Sequence, residues 1–260
     1  MKGLPIKTLF LIPICIFISG ITNIALSQSI SILCYNIHHA NPPSKEAGFI
    51  DLKAIAKVIN DSNADLVSLQ EVDMDVPRSG NIDQAKELAE LTNRHFFFAK
   101  GIDLDGGEYG VAIFSKSPFI WTKSFLLPMV EKSEQRVIAI GAIELENGKE
   151  VVFSTSHFDL KDKNKISNAE FVLEQAKSTN APFIFTGDLN AHPDSAPIKL
   201  LSKELRSVGE GATFPEVNPS RQIDYIMVGK NDPFKVTSFQ VLEEEYASDH
   251  RPIFAILELQ

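Results

Sequence analysis

Residues 182–190 read PFIFTGDLN, an apolar run that ends in an Asp-x-Asn pair. Aromatic and β-branched side chains bounded by turn-forming residues predict a short buried strand. Asp188 and Asn190 would then stand where this strand leaves its sheet. Side chains held at strand ends by a rigid scaffold commonly bind or catalyse, but an Asx residue at such a place also forms simple turns. A single pair therefore leaves a structural and a functional interpretation open.

The same design recurs along the chain, where apolar runs adjoin a carboxylate, an amide or an imidazole. The polar residues in these places are Asn36, Glu71, His157, Asp224 and the pair Asp249-His250. A turn explains any one of them. It does not explain why so many chemically active groups share one kind of position, so the set predicts a cluster of functional side chains at strand ends.

Composition narrows the class of protein. The chain has 260 residues, of which 44% are hydrophobic and 23% charged. These fractions exclude a disordered, collagen-like or coiled-coil chain and supply enough apolar side chains for a core. The formal net charge of −9 disfavours a non-specific nucleic-acid binder, because phosphate backbones attract clustered lysine and arginine. Two cysteines, Cys15 and Cys34, are too few for a disulfide scaffold.

Residues 1–27 have the three-part form of a secretory signal peptide. Lys2 and Lys7 give a positive start, an apolar run covers 9–18, and small residues at 25–27 suit a signal peptidase. The alternative is an uncleaved membrane anchor, for which the run is short because a bilayer needs about 20 residues. If the signal peptide is cleaved, the mature chain is residues 28–260, and we expect it to be secreted or periplasmic with no stable membrane span. Its formal charge changes from −9 to −11, because two lysines are removed.

The remaining chain is predicted to be one α/β domain. No repeat, low-complexity tract or linker divides it. Apolar strand-like runs outnumber helical patterns, and several are close enough together for antiparallel pairing. Leu52, Ile55, Ala56 and Ile59 recur at helical spacing, and Asp83 is placed to cap a second helix. Mixed sheets covered by helices, an α/β sandwich, account for this pattern.

The types of side chain at the strand ends indicate a hard metal ion. Carboxylate and amide oxygens suit Mg²⁺, Mn²⁺ or Ca²⁺ better than zinc. The sequence contains no HExxH, P-loop or GxSxG motif, which disfavours a zinc protease, a P-loop nucleotidase and a serine hydrolase. A hard cation beside two histidines and an Asp-x-Asn pair suits hydrolysis of a phosphoester. The cation polarises a phosphoryl oxygen, a carboxylate activates water and imidazoles donate to the phosphate.

Seven short stretches, in order along the chain, resemble the endonuclease/exonuclease/phosphatase superfamily of metal-dependent phosphohydrolases related to DNase I. They are residues 32–37 (ILCYNI), 65–72 (DLVSLQEV), 110–115 (GVAIFS), 156–159 (SHFD), 186–190 (TGDLN), 223–226 (IDYI) and 248–252 (SDHRP). The resemblance implies a four-layer α/β sandwich in which two packed mixed β-sheets are flanked by helices.

The resemblance also implies a metal site. Glu71 would be the principal ligand, with Asn36 and Asp249 nearby as further ligands or as groups that orient them. The implied cofactor is Mg²⁺, with Mn²⁺ as the alternative.

The catalytic roles implied by the resemblance fall on five residues. Asp188 would orient or deprotonate the attacking water, and Asn190 would hold that water and the phosphate. His157 and His250 would contact the scissile phosphate. Asp224 would orient His250 and raise its pKa, as a carboxylate does for an imidazole.

The chain also departs from the pattern of some nuclease members, which carry an acid two residues after the first asparagine. His38 occupies that place, so a metal ligand is missing there or His38 faces the substrate. Tyr109 and Arg136 precede strands that border the family's cleft. Arg136 would clamp a phosphate, or it would simply pair with Glu134 on an exposed strand.

Three functions remain open at this stage. The first is a secreted phosphodiesterase or phosphomonoesterase, active as a monomer on a small-molecule or lipid-derived phosphate ester. The second is an extracellular DNase I-like endonuclease, which the acidic charge disfavours without excluding. The third is a catalytically silent binding module, which intact Glu71, Asp188 and His250 disfavour. Short loops around an intact core favour the first.

Overall fold

The computed structural model describes Gly3 and residues 28–260. The predicted signal peptide, residues 1–27, lies outside the described residues apart from Gly3, so its cleavage stays a prediction. In the part of the chain that is described, no helix is long and apolar enough to cross a membrane.

Twelve strands and four α-helices make up the described domain. The strands are β1 (Gln28–Asn36), β2 (Leu66–Met74), β3 (His95–Leu104), β4 (Gly107–Ser115), β5 (Phe119–Leu126), β6 (Val137–Glu144), β7 (Glu150–His157), β8 (Phe183–Asp188), β9 (Leu205–Ser207), β10 (Asp224–Gly229), β11 (Phe234–Val241) and β12 (Ile253–Leu259). The helices are α1 (Leu52–Ser62), α2 (Gln84–Thr92), α3 (Asp162–Lys177) and α4 (Ala196–Leu201).

The strands form two six-stranded sheets. Their orders are β11-β12-β1-β2-β4-β3 and β5-β6-β7-β8-β10-β9. Each sheet has one parallel pair at its centre, β1 with β2 and β7 with β8, while the other pairs are antiparallel. Both sheets are therefore mixed, as predicted.

The two sheets pack face to face through an apolar core. Ile32 and Ile113 of the first sheet and Phe153 and Ile226 of the second belong to one buried cluster. A second cluster joins the outer face of the first sheet to α1 and α2, and a third joins the outer face of the second sheet to α3 and α4. The result is helix, sheet, sheet, helix, which confirms the predicted four-layer sandwich.

Alternation of side chains determines which residues face the other sheet. In β1, Ile30, Ile32 and Cys34 point into the core between the sheets, so Asn36 at the end of the strand points the same way. In β8, Ile184 is in that core and Asp188 follows with the same parity. The apolar core between the sheets thus becomes polar at one end.

The predicted cap of the second helix is present, and the first helix has a cap of the same kind. Asp51 accepts a hydrogen bond from the Ala54 N–H at 3.0 Å, and Asp83 accepts one from the Lys86 N–H at 3.0 Å. Each bond satisfies an amide that the first helical turn leaves without a partner. The capped helices α1 and α2 cover the first sheet with their apolar faces.

Gly187 permits the close approach of β8 to β7. Its φ is 149°, and a Cβ atom at this position would lie 2.0 Å from the Ser156 carbonyl oxygen. Side-chain atoms cannot approach a backbone carbonyl so closely without a shift of one strand. Glycine therefore brings the end of β8 against the end of β7, where Asp188 and His157 lie side by side.

Replacing Gly187 by alanine is expected to lower the free energy of unfolding by about 3 kcal/mol or more, because the new methyl group overlaps the β7 backbone. Urea denaturation measures the change. Gly106→Ala is the matched control, because Gly106 also has a positive φ (94°) but has open space around its Cβ position. The control substitution should lower the free energy of unfolding by only about 1 to 2 kcal/mol, which is the strain of a side chain in the left-handed region. Equal losses in both variants would show that overlap with β7 is unimportant.

Candidate active site

The register of three neighbouring strands brings three predicted residues into one row. His157 at the end of β7 is paired with Asp188 at the end of β8, and Asp188 is paired with Asp224 at the start of β10. All three side chains are buried. Because β7 and β8 are parallel and β10 is antiparallel to β8, two strand ends and one strand beginning meet at the same edge of the sheet.

His250 completes this row from the segment that precedes β12, a strand of the first sheet. Its Nδ1 lies 2.9 Å from Asp224 Oδ2, and its Nε2 lies 3.6 Å from Asp188 Oδ2. The Phe214 ring packs edge-on against the imidazole, with 4.8 Å between ring centroids. Burial alone would lower the pKa of His250, but Asp224 and Asp188 raise it to about 10. His250 is therefore a positively charged donor at neutral pH.

Asp188 is a buried carboxylate surrounded by donors. Its Oδ1 accepts from the Asn190 N–H at 2.9 Å, and its Oδ2 accepts from Asn36 Nδ2 at 3.1 Å. Burial and the nearby Asp224 carboxylate raise the pKa of Asp188 to about 7. A carboxyl group with such a pKa takes up and releases a proton readily near neutral pH, which is the property required of a general base.

His157 lies between Arg136 and Asn190. Its Nδ1 is 3.2 Å from Arg136 Nη1, and its Nε2 is 2.9 Å from Asn190 Nδ2 and 3.4 Å from Asp188 Oδ2. Burial and the Arg136 charge lower the pKa of His157 to about 3. The ring is neutral at physiological pH and has one acceptor nitrogen. It therefore accepts from either Arg136 or Asn190 and has one N–H to donate.

Glu71, on β2 of the first sheet, lies at the same cluster of buried side chains. A register shift between Leu69 and Val72 interrupts the pairing of β2 with β4, and Glu71 within it has a left-handed φ of 57°. Such a bulge redirects a side chain that regular alternation would send elsewhere. Burial would raise the pKa of Glu71, but the adjacent His39, His157 and Asn36 side chains hold it well below its usual range. Glu71 is therefore ionised.

Asn36 links the two carboxylates across the sheets. Its Nδ2 donates to Glu71 Oε1 at 3.0 Å and to Asp188 Oδ2 at 3.1 Å, while its Oδ1 accepts from the His38 N–H at 3.0 Å. The Ser248 hydroxyl donates to the Asn36 backbone carbonyl at 2.7 Å, which ties the 248–250 segment to the end of β1. Asp249, between Ser248 and His250, is half-buried and contributes to the raised pKa of His250.

The donor set fits a hard divalent cation at Glu71. The ionised Glu71 carboxylate offers oxygen ligands, as Mg²⁺ and Mn²⁺ prefer. Asn36 turns its Nδ2 to Glu71 and would orient that ligand, while Asp249 stays a predicted ligand. A second group of ligand-type atoms, from Asp188, Asp224 and His250, lies within 4.8 Å of one another. That group already contains the imidazolium cation of His250, which has no lone pair for a metal. Glu71 is therefore the better position for the ion.

The predicted substrate residues border the cluster. Tyr109, Arg136 and His157 line one narrow pocket. Arg136 pairs with Glu134 at 2.9 Å and also faces His157. The pairing with Glu134 is therefore present, and the phosphate clamp stays a prediction. Its Nε atom is buried and has no hydrogen-bond partner among the described residues. His38 lies in the turn after β1, where its Nδ1 is 2.8 Å from the Asn41 carbonyl oxygen.

Three neighbours of the cluster were not predicted. His39 Nδ1 lies 3.9 Å from Glu71 Oε2. The Thr213 hydroxyl donates to Asp224 Oδ2, and Arg78 pairs with buried Asp73 and lies over the Tyr109 ring at 5.3 Å. The His38-His39 doublet beside Asn36 is a usable signal for the first. Arg78 follows the Glu71 strand, which makes it a candidate for the pocket, but the sequence favours a solvated loop arginine. No sequence motif identifies Thr213, because its contact depends on the path of a loop.

Comparison with known proteins shows relatives of the same fold. An endonuclease/exonuclease/phosphatase family protein from Bacteroides thetaiotaomicron superposes with a TM-score of 0.77 at 20% identity, over 90% of this chain and 99% of that one. A mannosyl-6-phosphatase from the same organism gives 0.74 at 20%, over 88% and 99%. The human Nocturnin catalytic domain with bound sulfate gives 0.70 at 17%, over 89% and 96%.

Sequence comparison identifies the family. A search of the curated proteins found no significant match. The sequence profile of the Endonuclease/Exonuclease/phosphatase family, however, matches residues 33–250, which include every residue of the cluster. The chain belongs to the Endonuclease/Exonuclease/phosphatase family, whose members are hydrolases that act on phosphoester bonds.

Proposed function

We propose that this protein is a secreted or periplasmic phosphoesterase that uses Mg²⁺ or Mn²⁺ to hydrolyse a small phosphate ester. The observation that carries the proposal is the convergence of ionised Glu71, proton-accepting Asp188 and protonated His250 at one end of the sandwich. These are a metal ligand, a general base and a cationic donor within one hydrogen-bonded cluster. The acting form is residues 28–260, as a monomer.

In this proposal Glu71 holds the divalent cation, with Asn36 and Asp249 as neighbouring ligands or as groups that orient them. When bound, the ion supplies Lewis-acid polarisation of a phosphoryl oxygen and offsets negative charge in the transition state. The amide bridge from Asn36 to Glu71 and Asp188 keeps the metal position and the base at a fixed separation.

The chain's own residues carry the proton and stabilise the phosphate. Asp188 accepts a proton from water while the water oxygen bonds to phosphorus, and the bond from phosphorus to the leaving oxygen breaks. Asn190 orients that water. His250, held by Asp224, and neutral His157 donate hydrogen bonds to the non-bridging oxygens, where charge accumulates in the transition state.

A small substrate is favoured over a nucleic acid. The net charge of −9 repels a polyanion, whereas a single phosphate needs only local positive groups such as Arg136 and His250. The mannosyl-6-phosphatase of the same fold makes sugar phosphates the first natural esters to test.

The decisive experiment compares three substrates: p-nitrophenyl phosphate, bis(p-nitrophenyl) phosphate and plasmid DNA, each with Mg²⁺, Mn²⁺ or EDTA. We expect turnover of a nitrophenyl ester that EDTA abolishes. Glu71→Gln, Asp188→Asn and His250→Gln should each lower kcat by about 10²-fold to 10⁴-fold, because each removes a group used in the transition state.

The matched controls are Asp105→Asn and His95→Gln, which make similar changes at exposed sites and should retain full activity. Melting temperatures separate catalytic loss from unfolding, and Asp188→Asn should melt no lower than wild type because it removes a buried charge. Cleavage of plasmid DNA with no turnover of either nitrophenyl ester would favour the endonuclease. No metal-dependent turnover of any substrate would contradict the proposed activity.

Replacing Arg136 by methionine tests the phosphate clamp. We expect KM for the active ester to rise by about tenfold to a hundredfold, because one charge-assisted hydrogen bond contributes roughly 1.5 to 3 kcal/mol. Steady-state kinetics measure the change, with Arg94→Met as the control, since Arg94 bonds the Asp65 carbonyl far from the cluster. An unchanged KM would leave Arg136 with only its structural pairing to Glu134.

Replacing Asn36 by aspartate tests the amide bridge. The variant loses two donated hydrogen bonds and sets a third carboxylate against Glu71 and Asp188, so in EDTA it should lose about 2 kcal/mol of stability or more. Mg²⁺ or Mn²⁺ should restore its melting temperature, because the new carboxylate is an additional metal ligand. Asn147→Asp, at an exposed amide, should show neither effect. A loss that metal ions do not reverse would show that the added charge does not face the metal position.

A further inference from the structure

The turn that follows β1 has an unusual backbone. His38, His39 and Ala40 have φ values of 46°, 42° and 59° in succession. Residues with a side chain avoid this left-handed region at a cost of about 1 to 2 kcal/mol each. Such strain persists only where surrounding contacts fix the conformation, and it concentrates at functional sites.

Buried hydrogen bonds fix this turn. Gln84, which is fully buried, donates through Nε2 to the His39 carbonyl at 2.7 Å and accepts the Asp73 N–H at 2.9 Å. The Asp51 N–H donates to the Ala40 carbonyl at 2.8 Å. The turn is thereby attached to β2 and to the start of α1, so the backbone that carries His39 is held in one place beside Glu71.

The His39 imidazole faces Glu71 without bonding to it. The 3.9 Å between His39 Nδ1 and Glu71 Oε2 is too long for a hydrogen bond. His39 Nδ1 is buried and has no hydrogen-bond partner among residues 28–260. His38 differs, because its Nδ1 lies 2.8 Å from the Asn41 carbonyl oxygen. A buried nitrogen without a partner costs about 1 to 3 kcal/mol unless something else binds it.

We propose that His39 Nδ1 is a ligand of the divalent cation at Glu71, so that the site combines one imidazole nitrogen with carboxylate oxygens. This inference rests on the metal dependence of the proposed function. In a six-coordinate ion with bonds of about 2.1 Å, neighbouring ligands stand roughly 3 Å apart and opposite ligands roughly 4.2 Å apart. The observed 3.9 Å lies between these values, so a side-chain shift of less than about 1 Å would bring both groups onto one ion. Imidazole is a ligand for first-row transition ions, whereas Mg²⁺ takes oxygen. The site therefore selects Mn²⁺ over Mg²⁺.

The test uses Mn²⁺ as the probe and the chain without a histidine tag. Pulsed electron paramagnetic resonance of bound Mn²⁺ should show coupling to a directly bonded ¹⁴N nucleus, and ¹⁵N-histidine labelling should change that coupling. His39→Asn should abolish it and raise the Kd for Mn²⁺ by about tenfold or more, with a much smaller change for Mg²⁺. Asparagine is chosen because it tolerates the left-handed conformation.

His38→Asn is the matched control, since it changes the neighbouring imidazole in the same turn and should retain the nitrogen coupling. Glu71→Gln should abolish binding of either ion. Mn²⁺ bound through Glu71 with no nitrogen coupling, or with coupling that His39→Asn leaves intact, would overturn the role of His39 and leave the proposed function standing. If the wild-type chain bound no divalent ion, both the role of His39 and the proposed function would be contradicted. The labelling result on the wild-type chain decides whether any nitrogen ligand exists, even if His39→Asn does not fold.

Discussion

The hydrogen bond from Asn36 Nδ2 to Asp188 Oδ2 is the constraint on which the rest of the site depends. It joins the central strands of two different sheets at the end where their shared core becomes polar. Strand register then fixes His157 and Asp224 on either side of Asp188, and Gly187 allows the required approach of β8 to β7. A small rotation of one sheet against the other would separate Asn36 from Asp188 and its two neighbours, so the apolar core maintains the geometry of the cluster.

Electrostatics explains why such a cluster suits a dianionic or monoanionic ester. Glu71, Asp188, Asp224 and Asp249 place four carboxyl groups close together, with His250 as their charged partner, since His157 stays neutral. An excess of buried negative charge destabilises a fold unless cations or protons neutralise it. Asp188 reduces the excess by its raised pKa. A divalent ion at Glu71 would offset most of the remainder and so weaken the repulsion that a phosphate meets.

Sequence reasoning predicted the centre of the fold better than its edges. Central strands such as β8 are apolar on both faces because the opposite sheet covers one side and helices cover the other, so they appear as unbroken runs. The edge strand β11 alternates apolar with polar residues, and the polar residues 122–124 interrupt the edge strand β5, so neither forms a clear run. The six-residue helix α4 is too short for a periodic pattern. In the site, strand ends predicted Asp188 and His157 together, but contacts made through loops, such as Thr213 with Asp224, carry no local signal.

His39 shows why part of the site escapes sequence reasoning. Its place beside Glu71 requires three left-handed residues in the turn and a left-handed bulge at Glu71 itself, none of them glycine. Local preferences favour other conformations at all four positions, so only tertiary contacts such as those of Gln84 impose these. Asn190, next to Asp188, is also left-handed. Five left-handed residues, of which only Asn190 is of a type that readily adopts this conformation, thus surround one cluster. Backbone strain of this kind persists where the position of a side chain matters more than local stability. Here the strained residues border the space between Glu71, Asp188 and His250.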